Sequence, residues 1–246
     1  MKIVIFIVLA LLLGGGTAIA MFPMSMAAEY AAKQAPDFHY AAASGSVWNG
    51  KLKDVSFGQQ KIGDLSLKTD AMKLFTGKAG GHVDLGREGF TGQTTIAWPI
   101  GGKAVEFSDL KLAGKIAMVP GMPQAVAAGG GIFSLDLKDL KLSGDVCEFA
   151  SGEVWTDALA KVNHKGWVGP ELRGPVTCTD GNIHVEAAGK AISGENVIAR
   201  MSISPKLDME LTASVLNAQG SAIDALIDLG FKPEGNALVI RQALGS

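Results

Sequence analysis

Large rings are scarce in this chain: aromatic residues make up 7% of it, with 2 tyrosines and 4 tryptophans among 246 residues. A core with so few rings must be mainly aliphatic, and with 32 glycines the chain is rich in turns, bulges and close strand contacts. An excess of charge of one sign is missing too. Against 24 acidic side chains stand 22 basic ones, a net charge of −2, which leaves no basic footprint for a phosphate backbone and excludes nucleic acid as an expected partner. Only 2 cysteines and 4 histidines occur; His39, His82, His164 and His184 are scattered, and none has partners at metal-ligand spacing. The nucleophile elbow, H-E-x-x-H and P-loop patterns are absent. Gly129-Gly130-Gly131 lacks the Lys-Ser/Thr that a phosphate cradle requires, and Asp136 and Asp139 flank lysine on a strand, where carboxylates are solvated. The expectation is therefore no enzyme, no metal and no cofactor. Disorder is excluded in turn, because 48% of the chain is apolar and no collagen-like period exists.

What the chain does have is an uncharged start. From Ile3 to Ala28 there is no charged residue, and Ile3 to Leu13 is almost purely aliphatic. As helix this run reaches about 39 Å, enough for a hydrocarbon core of about 30 Å. Lys2 and the α-amino group precede it, which favours a cytoplasmic N-terminus and export of the remainder of the chain. Ala18-Ile19-Ala20 has the small-x-small form of a signal-peptide cleavage site. The apolar run continues through Met21-Phe22-Pro23-Met24, however, and so reads as a retained anchor. The expected division is an anchor helix at 1–28 and one β-rich domain at 29–246.

Beyond Pro36, which should stop any helix over 27–33, the dominant period is two. Val83 and Leu85 alternate with polar residues, and after Gly86-Arg87-Glu88-Gly89 the alternation resumes at Phe90, Thr94, Ile96 and Trp98: a hairpin with a four-residue loop. Val176 and Cys178, then Asp180-Gly181, then Ile183, Val185 and Ala187 read as another. A third runs from Val197, Ala199, Met201 and Ile203 through Ser204-Pro205-Lys206 to Leu207, Met209 and Leu211. A weak repeat supports the meander: Asp64-Leu65-Ser66-Leu67, Asp109-Leu110-Lys111-Leu112 and Asp139-Leu140-Lys141-Leu142. Apolar parity flips at the aspartate in the last two, since Val105 and Phe107 are odd whereas Leu110 and Leu112 are even, and a flip predicts a bulge or bend. The expected class is mainly β, a transmembrane helix followed by an antiparallel, curved β-meander sheet with one or two short helices.

Those helices are expected at Asp157 to Val162, capped by Thr156, and from Ser221. There Asp224 completes an approximate capping box, Ile223, Leu226, Ile227 and Leu229 form the apolar face, and Gly230 stops the helix. Residues 118–131, with Pro120, Pro123 and three glycines, read as a flexible loop. Cys147 and Cys178 would join in an oxidising compartment, a closure of roughly 3–4 kcal/mol in the chain-entropy model; two separate buried thiols are the alternative. Cys147 shares a face with Lys141 and Asp145 unless a bulge intervenes, so the bond further predicts a bend or strand end between Gly144 and Cys147.

Gly45-Ser46-Val47-Trp48-Asn49-Gly50, soon after the uncharged run, resembles the glycine-x-x-tryptophan-x-glycine segment of type II secretion protein N. Cys147 through Trp155, with Leu172-Arg173-Gly174-Pro175-Val176-Thr177-Cys178 and Asp180-Gly181, is similar to that family's cysteine-bracketed region. With the anchor and strand pattern, the likeness covers most of the chain. The resemblance implies a single-pass inner-membrane protein with its main domain in the periplasm, a non-enzymatic component that works beside the other type II secretion components; only Met1 and Lys2 would be cytoplasmic. Physically, Gly45 and Gly50 permit a tight bend, and Trp48 is either an anchor at the sheet edge or ordinary core. AsmA-like envelope proteins carry similar segments, which keeps a second class open: a lipid-handling module holding acyl chains in an apolar trough. The same apolar faces also suit the domain's own core.

Overall fold

The computed structural model describes residues 22–58, 60–119, 122–204 and 208–244. Chain contacts divide it into two units, the first ending at Arg87 and the second beginning at Glu88. The expected anchor lies outside the described residues as far as position 21, and among the described residues no helix is long and apolar enough to cross a membrane. The end of the uncharged run is described. Pro23 is extended (φ −69°, ψ 141°) and caps helix α1, Met24–Gln34, so the helix expected over 27–33 begins at Met24 and stops before Pro36.

In unit one, β1 (Phe38–His39) and β2 (Ala42–Ser46) both pair with β3 (Asn49–Phe57), followed by β4 (Gln60–Thr69) and β5 (Lys78–Arg87), all antiparallel. Helix α1 lies on this sheet. Met24 and Ala28, four residues apart on one helix face, are buried with Leu52 and Val55 of β3, and Phe38, Ile62, Leu65 and Leu67 pack around them. A short helix that the alternation did not reveal, α2 (Ala71–Phe75), joins β4 to β5.

Only Glu88 and Gly89 separate the end of β5 at Arg87 from the next strand, β6, which begins at Phe90, so the expected four-residue loop is two residues long. Unit two is an antiparallel meander. In space it runs β6 (Phe90–Pro99), β7 (Ala104–Lys115), β8 (Ile132–Ser143), β9 (Val146–Thr156), β12 (Leu172–Thr179), β13 (Asn182–Lys190), β14 (Asn196–Ile203), β15 (Met209–Leu216), β17 (Ala237–Leu244) and β16 (Lys232–Glu234); β10 (Asn163–His164) and β11 (Trp167–Val168) form a separate hairpin. The expected hairpin at Asp180-Gly181 is β12–β13, with φ of 51° and 78° at the two turn residues, as a two-residue turn of matching twist requires. Strands β14 and β15 pair across the third predicted turn, whose Pro205, Lys206 and Leu207 lie outside the described residues.

Both parity flips are bulges. Asp109 has φ 52°, and the β6–β7 register shifts beside it; Lys138 is the extra residue where the β8–β9 register shifts between Leu137 and Asp139. The effect keeps Phe107, Leu110, Leu135, Leu137, Leu140 and Leu142 in one apolar cluster with Ala150, Val176 and Val185. The opposite face carries cross-strand ion pairs, Lys111–Asp136 at 3.8 Å and Arg200–Glu186 at 2.7 Å among them.

Three local expectations are corrected. Residues 157–162 form a turn, not a helix: Thr156 still belongs to the β9 ladder and β10 begins at Asn163, leaving no length for helix propagation. Thr156 Oγ1 accepts the Ala158 N–H (3.1 Å), a helix-cap bond without the helix. Residues 118–131 are not a plain loop, because helix α3 (Gln124–Ala128) buries Val126 against Ile116, Ala158 and Val162. Helix α4 (Ser221–Asp228) is present, but its N-cap is Gly220 without a side-chain cap, so the capping box does not form. Its buried face is Ala222, Ala225 and Leu226, against Val197, Val215 and Trp167, while Ile223 and Ile227 are exposed.

Candidate functional site

The segment 45–50 closes β2 onto β3. Ser46 pairs with Asn49 and Gly45 with Gly50, leaving Val47 and Trp48 as the turn. Gly45 has φ +83°, and a Cβ there would lie 2.3 Å from the Asn49 carbonyl oxygen, so no other residue fits without moving backbone. A Cβ on Gly50 would lie 2.7 Å from the Met24 side chain. Gly50 is therefore what lets α1 settle on the sheet. The turn in between collects three chain segments. Val47 N–H donates to the Phe22 carbonyl (3.0 Å) and Pro23 bridges Ser46, which fixes the point where the chain reaches the sheet. Thr69 N–H donates to the Trp48 carbonyl (3.0 Å), and Thr69 Oγ1 donates to the Val47 carbonyl (2.5 Å), which fixes the end of β4. Trp48 itself is half-buried in the turn rather than on an edge strand.

Directly after Thr69, Asp70 caps α2 by accepting the Met72 N–H at 3.0 Å. Sequence reading missed this helix, although an aspartate before Ala-Met-Lys-Leu-Phe is a cap signal. Its side chains do not enter the core: Met72 is 70% exposed, Leu74 39% and Phe75 86%, and Phe22 at the same end of the sheet is 40% exposed.

The second region of interest is in unit two. Cys147 and Cys178 are joined, with Cα atoms 5.6 Å apart. The expected strand end is present, with β8 closing at Ser143 and β9 opening at Val146, and a bulge follows it: Lys141 pairs with Phe149 but Leu142 with Cys147, so Glu148 is the extra residue and Cys147 turns inward. It is 4% exposed, among Leu140, Ala150, Val176 and Val185. Its N–H donates to the Gly181 carbonyl at 2.7 Å, tying the β9 start to the β12–β13 turn. The bonded loop contains the β10–β11 hairpin and Trp167, which is buried against α4.

With the two-glycine turn and the cysteine bracket both located, the comparison with families is decisive. The family model described as Type II secretion system (T2SS), protein N, matches residues 36–230. The chain belongs to that family. The match includes the Gly45–Gly50 turn in unit one and both cysteines in unit two. No curated protein and no solved structure matches the chain. As a member of the protein N family the chain is a type II secretion component.

Among the described residues, titratable groups form no recognisable reaction centre. Among the described residues no three His, Cys, Asp or Glu side chains converge as a metal site. His82 lies 3.2 Å from Asp84. His164 and Lys165 reach Asp228 Oδ2 at 3.1 and 2.5 Å; Lys165 first, and His164 after it, hold that carboxyl below the ordinary carboxylate range. Glu195 was not anticipated. It is 3% exposed, its Oε2 accepts the Ser193 hydroxyl at 2.5 Å, and it lines a cavity of about 320 Å³ with Trp167, Gly194 and Asn217. The rest of that lining is glycine, serine, Trp167, Asn217, Gln219 and Ala222.

Proposed function

We propose that this protein is a non-catalytic component of the type II secretion machinery, held in the inner membrane by residues 3–21 with its main domain in the periplasm, and that it assists assembly of the envelope-spanning apparatus by docking to other secretion components. The observation that carries the reading is the family match across both units. The anchor is supported by the uncharged run and by where α1 begins. With Met24 and Ala28 packed on the sheet, the proposed span is residues 3–21, a length that as helix would reach about 28 Å, close to one hydrocarbon core. Export agrees with the bonded cysteines.

The lipid-handling alternative finds less support. An apolar cleft lies beside Phe90, Ala113, Ile132 and Phe133, but its volume is about 240 Å³, below the range of about 300–1,000 Å³ usual for small-molecule pockets. The test is genetic and biochemical together. Removing the gene from its host should leave secreted proteins in the periplasm and deplete the medium, and the full chain should co-purify with other secretion components from detergent-solubilised membranes. Undiminished secretion in the deletion strain would sink the proposed role. Recovery of the chain in a carbonate-soluble fraction would sink the anchor.

A further inference from the structure

We propose that the end of unit one formed by Phe22, the Val47-Trp48 turn and α2 docks on a lipid surface, with Met72 and Phe75 inserted at headgroup level. The inference rests on the anchored reading above. Its first support is exposure. In a chain with 7% aromatic residues, α2 holds Phe75 86% exposed and Met72 70% exposed, side by side with Leu74 at 39%. Side chains of this size on one short element call for a cover. Its second support is where the chain arrives. Phe22 is hydrogen-bonded to Val47, and Thr69, one residue before the α2 cap, is hydrogen-bonded to Val47 and Trp48. Phe22, the first residue after the proposed span, therefore sits at the same end of the sheet as α2, and a bilayer holding residues 3–21 would lie there. Its third support is charge. Lys68, Lys73 and Lys78 lie within α2 or within three residues of it in the chain, and the Asp70 carboxylate is engaged as the helix cap. Apolar side chains with lysine close by in the chain suit an interface with anionic headgroups.

The opposite end of the same sheet supplies the control. Lys61 is exposed near the start of β4, and eight residues of strand put it about 26 Å from Thr69. Both native cysteines are bonded, so one introduced thiol is labelled selectively. The full chain carrying Phe75→Cys or Lys61→Cys is labelled with bimane and reconstituted in phosphatidylethanolamine–phosphatidylglycerol vesicles with doxyl-labelled lipid inside or iodide outside. The label at position 75 should be quenched severalfold more by doxyl lipid than the label at 61, and severalfold less by iodide. Equal iodide quenching at both positions overturns the docking. Shielding of position 75 from both quenchers also overturns it, and assigns α2 to a protein contact. Carbonate extraction of the same vesicles reports on the anchor separately. Release of the chain overturns the anchored reading and the docking with it, whereas a retained chain with an iodide-accessible label at 75 overturns the docking alone.

Discussion

The two units solve the shortage of aromatic bulk differently. Unit one has no covalent link: its buried centre is Met24, Ala28, Leu52 and Val55, made by laying one helix on a short sheet. The arrangement depends on a backbone conformation at Gly45 and a missing side chain at Gly50. Unit two spreads its core over a long meander, corrects the pattern with bulges at Asp109, Lys138 and Glu148, and adds a disulfide. Close backbone approaches occur in unit two as well, where a Cβ on Gly174 would lie 1.8 Å from the Glu186 carbonyl oxygen, so the contrast lies in what locks each sheet: a helix laid on it in unit one, a disulfide in unit two.

The sharpest way to break this contrast is Gly45→Ala. Left-handed φ and a Cβ 2.3 Å from the Asn49 oxygen should together cost about 3–4 kcal/mol. Hydrogen exchange on the full chain should show amides of β2, β3 and α1 losing protection while those of β12 to β15 keep theirs. Unchanged protection in β2 and β3 would mean that unit one does not depend on this turn. A second test acts on the other unit. Cys147→Ser or Cys178→Ser should cost about 2–4 kcal/mol, lowering the unfolding midpoint of unit two by about 4–16 °C without changing strand content. A reduced protein as stable as the oxidised one would show that the bulge and the Gly181 hydrogen bond suffice to hold the β9 start.

How much of this was legible depends on what the pattern encodes. Period two exposes strands, and a slip in period exposes a bulge, which is why Val105-x-Phe107 passing to Leu110-x-Leu112 located the Asp109 bend; the parity of Cys147 pointed to the strand end after Ser143 but not to the extra Glu148. Short helices left weaker marks. Five residues at 71–75 contain too few turns for a helical period, and the cap at Asp70 was the only sign. Apolarity misled on α4, where Ile223 and Ile227 looked like core. The helix instead turns Ala222 and Ala225 to the sheet, because small side chains allow close approach to Val197 and Val215; size, not hydropathy, chose the face. The turn at 157–162 has good helical composition, but pairing partners on both sides claim its ends, and those are long-range facts.

A smaller and opposite effect is expected at Gln242. Its Oε1 is buried on β17 and accepts no hydrogen bond, and its pair across the ladder is Leu211 on the apolar face. Gln242→Met keeps the volume and removes the unsatisfied oxygen, so unit two should gain about 1 kcal/mol in denaturant unfolding. A loss of that size would mean that the amide holds the last strand by its nitrogen.

The smallest effect is expected on the solvated face, where Lys141 Nζ lies 2.6 Å from Glu148 Oε2, across the same bulge that turns Cys147 inward. The Lys141 hydrogen bond is the main cause that holds the Glu148 carboxyl below its ordinary range, and the Glu148 hydrogen bond is the main cause that raises the Lys141 ammonium. A carboxyl depressed by folding contributes stability that is present above its unfolded pKa and lost as pH falls through the folded value. An ammonium raised by folding contributes stability that is present below its unfolded pKa and lost as pH rises through the folded value. The pair therefore acts between the ordinary carboxylate and lysine ranges, about pH 4 to 10. Both groups are exposed to water and screened, so Lys141→Ala should shift the midpoint far less than either cysteine variant, less still in high salt, and not at all at pH 2. A Lys141→Ala loss that rivals the Cys147→Ser loss, or that persists at pH 2, would show that the bulge is set by the side chains around Glu148 rather than by the disulfide and the backbone bond to Gly181.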